Sequence, residues 1–186
     1  MNRGTRRRLL TWVPIFTVFV AVYVVLSLPS VQEFLIVRSA PPLQHQLDLD
    51  GMQLPASMEF TLLDGTTVTG ASLRGRPVVI NLFSTTCPPC VAELPSLERL
   101  RAAVEPDARV LMIGLGKPTL LASWNAARNG DPQAFATLEQ FGPPLTTNAI
   151  PMTILVDPDG VVVSKVTGAW RWDDPSVVEW VNRLAR

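Results

Sequence analysis

Seven residues, Pro77-Val78-Val79-Ile80-Asn81-Leu82-Phe83, constrain what this chain can fold into more than any other stretch. Apart from Asn81 they are apolar, several are β-branched, and they do not alternate with polar residues. A strand that is apolar on both faces is covered on both faces, which places it inside a sheet rather than at an edge. Directly behind it comes Ser84-Thr85-Thr86-Cys87-Pro88-Pro89-Cys90, which holds both cysteines of the 186-residue chain. Beyond Cys90, Val91, Leu94, Leu97, Leu100 and Val104 recur at helical spacing, with Glu93, Glu98, Arg99 and Arg101 between them. The cysteines therefore fall at the junction of a buried strand and an amphipathic helix, and Pro95 is expected to kink that helix.

The rest of the chain alternates strands and helices. Residues 58–75 read as a β-hairpin turned at Asp64-Gly65. Residues 109–116 read as a strand and 120–128 as a helix closed by Asn129-Gly130. A further helix is expected to run from Asp131 to Phe141, with Asp131 as its cap and Pro132 at its first position. Residues 152–166 give two strands around Asp157-Pro158-Asp159-Gly160, and 176–185 a last helix. This order predicts an α/β domain with a mainly parallel central sheet and helices on both of its faces.

Residues 9–28 form a run of twenty without a charge. As a helix they would extend about 30 Å, the thickness of a bilayer's hydrocarbon core. Arg3, Arg6, Arg7 and Arg8 precede the run, and the next basic residue is Arg38. That asymmetry predicts a cytoplasmic N-terminus and an extracytoplasmic remainder. A cleaved signal peptide is the rival, but Ser27-Leu28-Pro29-Ser30 lacks a small-x-small site. The expected organisation is a basic tail over 1–8, a transmembrane helix over 9–28, a proline-punctuated linker over 29–50 and a single domain over 51–186. Within the linker, residues 32–37 are expected to form a short amphipathic turn, and His45, the only histidine, is expected to be solvated. Sixteen basic residues against sixteen acidic ones argue against an electrostatic nucleic-acid binder.

The two cysteines admit three readings. A zinc site needs four ligands, and the chain holds no second cysteine pair and a lone histidine in the linker; a copper site completed by a partner stays open. A structural staple would close a loop of only two intervening residues, where a disulfide stabilises least. A redox-active dithiol uses the location best. A helix start offers free N–H groups and the positive end of the dipole, which favour a thiolate at Cys87. Pro88 and Pro89 suit the first helical positions. Cys87 would attack a partner disulfide and Cys90 would resolve the mixed disulfide. Pro151, at the entrance of a later strand, is either a simple boundary or a cis proline.

The blocks "LRGRPVVINLFSTTCPPCVAELPSLERL", "AIPMTILVDPDGVVV" and "TGAWRW" resemble the thioredoxin superfamily, and within it the membrane-anchored TlpA/ResA-like branch that includes cytochrome c maturation oxidoreductases. The resemblance covers about Gly51 to Arg186 and implies a thioredoxin-like fold, a central mixed sheet with helices on both of its faces. It implies Cys87 as the exposed nucleophile and Cys90 as the resolving thiol. It also implies Pro151 as a cis proline facing them and Ile150 as the backbone that pairs with a bound substrate strand. Glu93 matches a glutamate held to tune the thiols, or else is an exposed helix acid. Two departures stand out. Thr86 replaces the tryptophan that often precedes the first cysteine and flanks the groove. Asn81 stands where thioredoxin itself has a buried aspartate. Trp170 and Trp172 either add aromatic surface near the site or pack the last helix.

The function that follows is an inner-membrane thiol:disulfide oxidoreductase, single-pass with its N-terminus inside, acting as a reductant outside the cytoplasm. It would use no cofactor beyond the Cys87–Cys90 disulfide, take protein thiols or disulfides as substrates, and draw electrons from a membrane donor of the DsbD/CcdA type. The alternatives are an oxidase using the same residues and a tethered module that binds copper or a client without turnover.

Overall fold

The computed structural model describes residues 3–28, 31, 37, 41, 52–139 and 142–186, with side chains from Ile15 onward. The linker over 29–50, with its amphipathic turn and His45, lies outside the described residues except at positions 31, 37 and 41. The chain forms two compact units, Met1–Ile36 and Val37–Arg186.

The first unit contains α1, Arg3–Leu26. Its described side chains are exposed and, apart from the Thr17 and Tyr23 hydroxyls, apolar, Phe16 and Tyr23 each exposed to 73%. The Ser27 hydroxyl donates to the Tyr23 carbonyl at 2.7 Å and closes the last turn. Among the described residues no helix is long and apolar enough to cross a membrane.

Among its described residues the second unit is a seven-stranded sheet with three helices. Its strands are β1 (Glu59–Leu62), β2 (Thr67–Thr69), β3 (Val78–Phe83), β4 (Arg109–Gly114), β5 (Phe135–Thr137), β6 (Met152–Val156) and β7 (Val162–Thr167). Its helices are α2 (Pro88–Val104), α3 (Pro118–Ala127) and α4 (Pro175–Leu184). The strand order is β2-β1-β5-β4-β3-β6-β7. All six residues of β3 are buried, as its unbroken apolar run requires. β3 runs parallel to β4 and antiparallel to β6, and β4 runs parallel to β5. The other pairings are antiparallel. The sheet is thus mixed, as the thioredoxin-like resemblance implies and unlike the mainly parallel sheet that the strand–helix alternation alone suggests, because hairpins close both of its edges. Gly65 (φ 89°) takes the left-handed turn position between β1 and β2.

Two expectations from sequence are corrected here. No helix runs from Asp131 to Phe141. Asp131 Oδ1 accepts from the Gln133 N–H at 2.8 Å, and the Ala134 N–H donates to the Asp131 carbonyl at 3.1 Å. These bonds close a turn that delivers Phe135–Thr137 to the sheet as β5. An aspartate before a proline caps a helix and closes a turn equally well. Burial of the Phe135 ring decides between them: it packs edge-on against Phe83 (5.8 Å) and Trp124 (5.9 Å).

The second correction concerns the faces. α2, α3 and α4 all contribute to one core, with Val79, Phe83, Val110, Met112 and Leu155 beneath them. The opposite face, carrying Val78, Ile80, Leu82, Leu111 and Ile154, is covered by Leu54, Leu73, Leu138 and Leu145 from non-helical segments. The strand order explains this. The steps β3-α2-β4 and β4-α3-β5 move in the same direction across the sheet, so right-handed crossovers put both helices on one side. The return from β5 to β6 then passes over the other.

The aromatic cluster of Phe83, Trp124 and Phe135 locks α3 and β5 against the central strand. Phe135→Ala is expected to cost about 3–5 kcal/mol in urea unfolding of the purified protein. A loss below about 1 kcal/mol would show that the site collapses around the cavity and that the cluster does not hold β5 in place.

Candidate dithiol site

Cys87 and Cys90 are joined as a disulfide. Cys87 is the N-cap of α2 and is half-buried, whereas Cys90 is fully buried. A helix start leaves its first N–H groups without intrahelical partners. Pro88 and Pro89 at the first two positions have none to offer, so the first available donor is Cys90 N–H. It points at Cys87 Sγ at 3.3 Å. Sulfur thus occupies the place that a serine or aspartate oxygen fills in an ordinary cap. Thr86 is exposed beside it, its hydroxyl 3.0 Å from that of Ser84. Pro95 lies inside the helix.

Register places the remaining candidates. Leu82 pairs with Met152, so the chain entering β6 sits at the same sheet end as the chain leaving β3. Pro151 is buried and Ile150–Pro151 is cis. Ile150 is half-buried and, like Cys87, packs against the helical core. The Gly168 N–H donates to the Pro151 carbonyl at 2.9 Å, which brings the end of β7 to this end as well.

Glu93 is wholly buried, so its alternative as an exposed helix acid is set aside. Its Oε1 accepts from Asn81 Nδ2 at 2.7 Å. Its Oε2 accepts from the Trp170 N–H at 3.1 Å and from Trp172 Nε1 at 3.0 Å. Asn81 Nδ2 also donates to Thr153 Oγ1 at 2.9 Å. Ser96 completes the set: its hydroxyl donates to the Glu93 carbonyl at 2.7 Å and accepts from the Trp172 N–H at 3.1 Å. Trp172 is fully buried and its indole serves this network, while Trp170 stays half-buried. Sequence reading missed Ser96 and Thr153. Thr153 carried a signal in retrospect, as a polar residue in an apolar strand that pairs with the polar exception in β3.

The Redoxin family model matches residues 49–180. The chain belongs to the Redoxin family. Among characterised relatives, this Redoxin-family chain is 26% identical over 113 residues to the thiol-disulfide oxidoreductase ResA of Halalkalibacterium halodurans, covering 57% of this chain and 62% of that one. It is 30% identical over 111 residues to the soluble secreted antigen MPT53 of Mycobacterium tuberculosis, covering 60% of this chain and 53% of that one. The matches thus span between half and two thirds of those relatives' lengths. Solved structures share the fold. A thiol:disulfide interchange protein of Chlorobium tepidum superposes with a TM-score of 0.57 at 19% identity, covering 70% of this chain and 96% of its own. A thiol-disulfide isomerase of Corynebacterium glutamicum gives 0.57 at 18% identity, covering 73% and 97%. The resemblance to the ResA-like branch of the thioredoxin superfamily holds.

In this Redoxin-family site, burial pushes the Glu93 carboxyl up to about 7, against the lowering effect of its bonds from Trp172, Trp170 and Asn81. The folded chain therefore holds the Glu93 proton more tightly than the unfolded chain does. Its contribution to stability is complete below about pH 4.5 and declines as pH rises to about 7, by about 3 kcal/mol. The difference in unfolding free energy between wild type and Glu93→Gln is expected to follow that decline, since the amide does not ionise. A difference that stays flat from pH 4.5 to 8 would mean that Glu93 titrates as an ordinary carboxyl.

Proposed function

We propose that this chain is a membrane-anchored, extracytoplasmic thiol:disulfide oxidoreductase that reduces protein disulfides. The observation that carries the reading is the placement of Cys87, half-exposed at a helix start with an N–H aimed at its sulfur, joined to a Cys90 sealed from water. A sulfur so placed is accessible to a partner and stabilised as the attacking thiolate. Cys87 Sγ bonds to one sulfur of the partner disulfide, and the other partner sulfur leaves as a thiolate. Cys90, deprotonated, then attacks Cys87 Sγ, which closes the Cys87–Cys90 bond and releases the partner's second thiolate. Two electrons pass to the partner, whose two thiolates take up protons. No cofactor beyond the dithiol takes part.

Pro88 and Pro89 hold the loop, Pro151 and Thr86 border the groove, and Ile150 offers backbone to a substrate strand. Glu93 governs the proton balance near Cys90, which lies one helical turn earlier on the same helix face. The names of relatives such as ResA agree with this chemistry. Re-reduction requires a dithiol donor in the membrane, of the DsbD/CcdA type. Clients in cytochrome c maturation or in copper and oxidase assembly fit the ResA-like branch. The anchor reading is supported by the helicity of Arg3–Leu26, by its exposed apolar side chains and by the arginines at its start. It places the N-terminus in the cytoplasm, the helix over 9–28 in the inner membrane, a linker over 29–50, and the domain over 51–186 on the far side.

The reduction potential of the Cys87–Cys90 pair, equilibrated with glutathione or dithiothreitol, tests the direction. A value near or below about −220 mV is expected for a reductant, and one near about −120 mV would make the protein an oxidant. Cys90→Ser is expected to accumulate a mixed disulfide through Cys87 that Cys87→Ser does not form. Absence of the adduct with every disulfide partner tried would overturn exchange and leave binding without turnover.

A further inference from the structure

We propose that the Asn81 side-chain amide is a two-position element that turns over as Glu93 gains or loses its proton, with the Thr153 hydroxyl reversing its own hydrogen bond in step. The donor inventory around Glu93 forces this. Oε2 is held by the Trp170 N–H and Trp172 Nε1–H, two donors that have no acceptor form. A proton on Glu93 must therefore sit on Oε1. Oε1 faces Asn81 Nδ2 at 2.7 Å, which is itself a donor. With Glu93 protonated, that orientation sets O–H against N–H with no acceptor between them, a loss that a buried site does not absorb.

Half a turn about the last side-chain torsion of Asn81 removes the conflict. Oδ1 then takes the place of Nδ2 and accepts from Glu93 Oε1–H. Thr153 Oγ1, 2.9 Å from that place, changes from acceptor to donor, as a hydroxyl does by rotating its hydrogen. The change breaks no hydrogen bond at the far end of the amide. Asn81 Oδ1 is buried with no hydrogen-bond partner among the described residues. The hydrogen bonds that differ between the two orientations are those to Glu93 and Thr153, so the proton on Glu93 selects the orientation.

Among the described residues no charged side chain competes for control. The groups that act on Glu93 are its burial, the Trp172 indole and Trp170 N–H from the loop after β7, and the Asn81 amide from β3. Thr153, on β6, reaches it through Asn81. On α2 the ionisable neighbour along the same face is Cys90, which does not titrate in the disulfide. The inference rests on the hydrogen-bond geometry and stands apart from the redox reading. If that reading also holds, the amide keeps Glu93 Oε1 hydrogen-bonded in both of its protonation states without an incoming water.

Side-chain amide NMR of the full chain in micelles, with the disulfide intact, tests it from pH 5 to 9. Nuclear Overhauser contacts between the Asn81 amide protons and the Thr153 side chain are expected at high pH. They are expected to vanish at low pH, with the same midpoint as the Glu93 carboxyl carbon. Glu93→Gln gives a second arm that does not depend on where Glu93 titrates. Its oxygen must serve the two tryptophan donors, so its NH2 must face Asn81 and hold the amide in the low-pH orientation at every pH. An Asn81 pattern unchanged across the Glu93 titration, or a Glu93→Gln variant with the high-pH pattern, would overturn the proposal. Should the variant fail to fold, the wild-type titration decides alone. Neither arm measures disulfide exchange, so loss of the amide switch would leave the oxidoreductase reading intact, and the reverse.

Discussion

A carboxyl taken wholly out of water has to find its donors in the protein, and the architecture around the dithiol follows from that need. Glu93 accepts one bond from the central strand and two from the loop that follows β7. The helix that carries Cys87 and Cys90 is thereby tied to β3 beneath it and to the segment at residues 168–172 beside it. Apolar packing alone would hold α2 to the sheet, but packing is tolerant of small slides. Directional bonds on a buried group are not, because a misplaced helix would strand a polar atom without water. The network therefore fixes where along β3 the helix begins, and with it where Cys87 stands.

Much of this was legible in the residues. An unbroken apolar run marked β3, Asp64-Gly65 marked the first hairpin, and the cysteines fell at a strand–helix junction because both neighbours were readable. Three things were not. Asp131-Pro132 opens a helix and closes a turn with the same chemistry, and only the Phe135 ring, seated between Phe83 and Trp124, chose the turn. The crowding of helices onto one face followed from where β5 enters the sheet, and no local pattern in residues 135–137 encodes that position. Glu93 was read as either exposed or functional because its helix turn has the same spacing in both cases. The indole that meets it, Trp172, lies 79 residues away.

The Redoxin match runs over residues 49–180, so it takes in the whole sheet, α2, α3 and the first part of α4. It does not reach α1. The fold and the dithiol's setting thus rest on likeness to known proteins as well as on geometry, whereas the reading of α1 rests on its own composition and on the arginines before it. Within the matched part, the departures are informative. Thr86 sets an exposed hydroxyl beside Cys87 where the resemblance leads one to expect a tryptophan ring.

The bond between Cys87 and Cys90 spans three positions in the chain, while the contacts that surround it are remote. Asn81 meets Thr153 across 72 residues, and Glu93 meets Trp172 across 79. Local contacts form early in folding and distant strand pairings late. Under oxidising conditions the disulfide can therefore close before the sheet exists. The order matters for assembly: the two sulfurs find each other by proximity, but the environment that governs their chemistry appears only when β6 and the loop after β7 have docked.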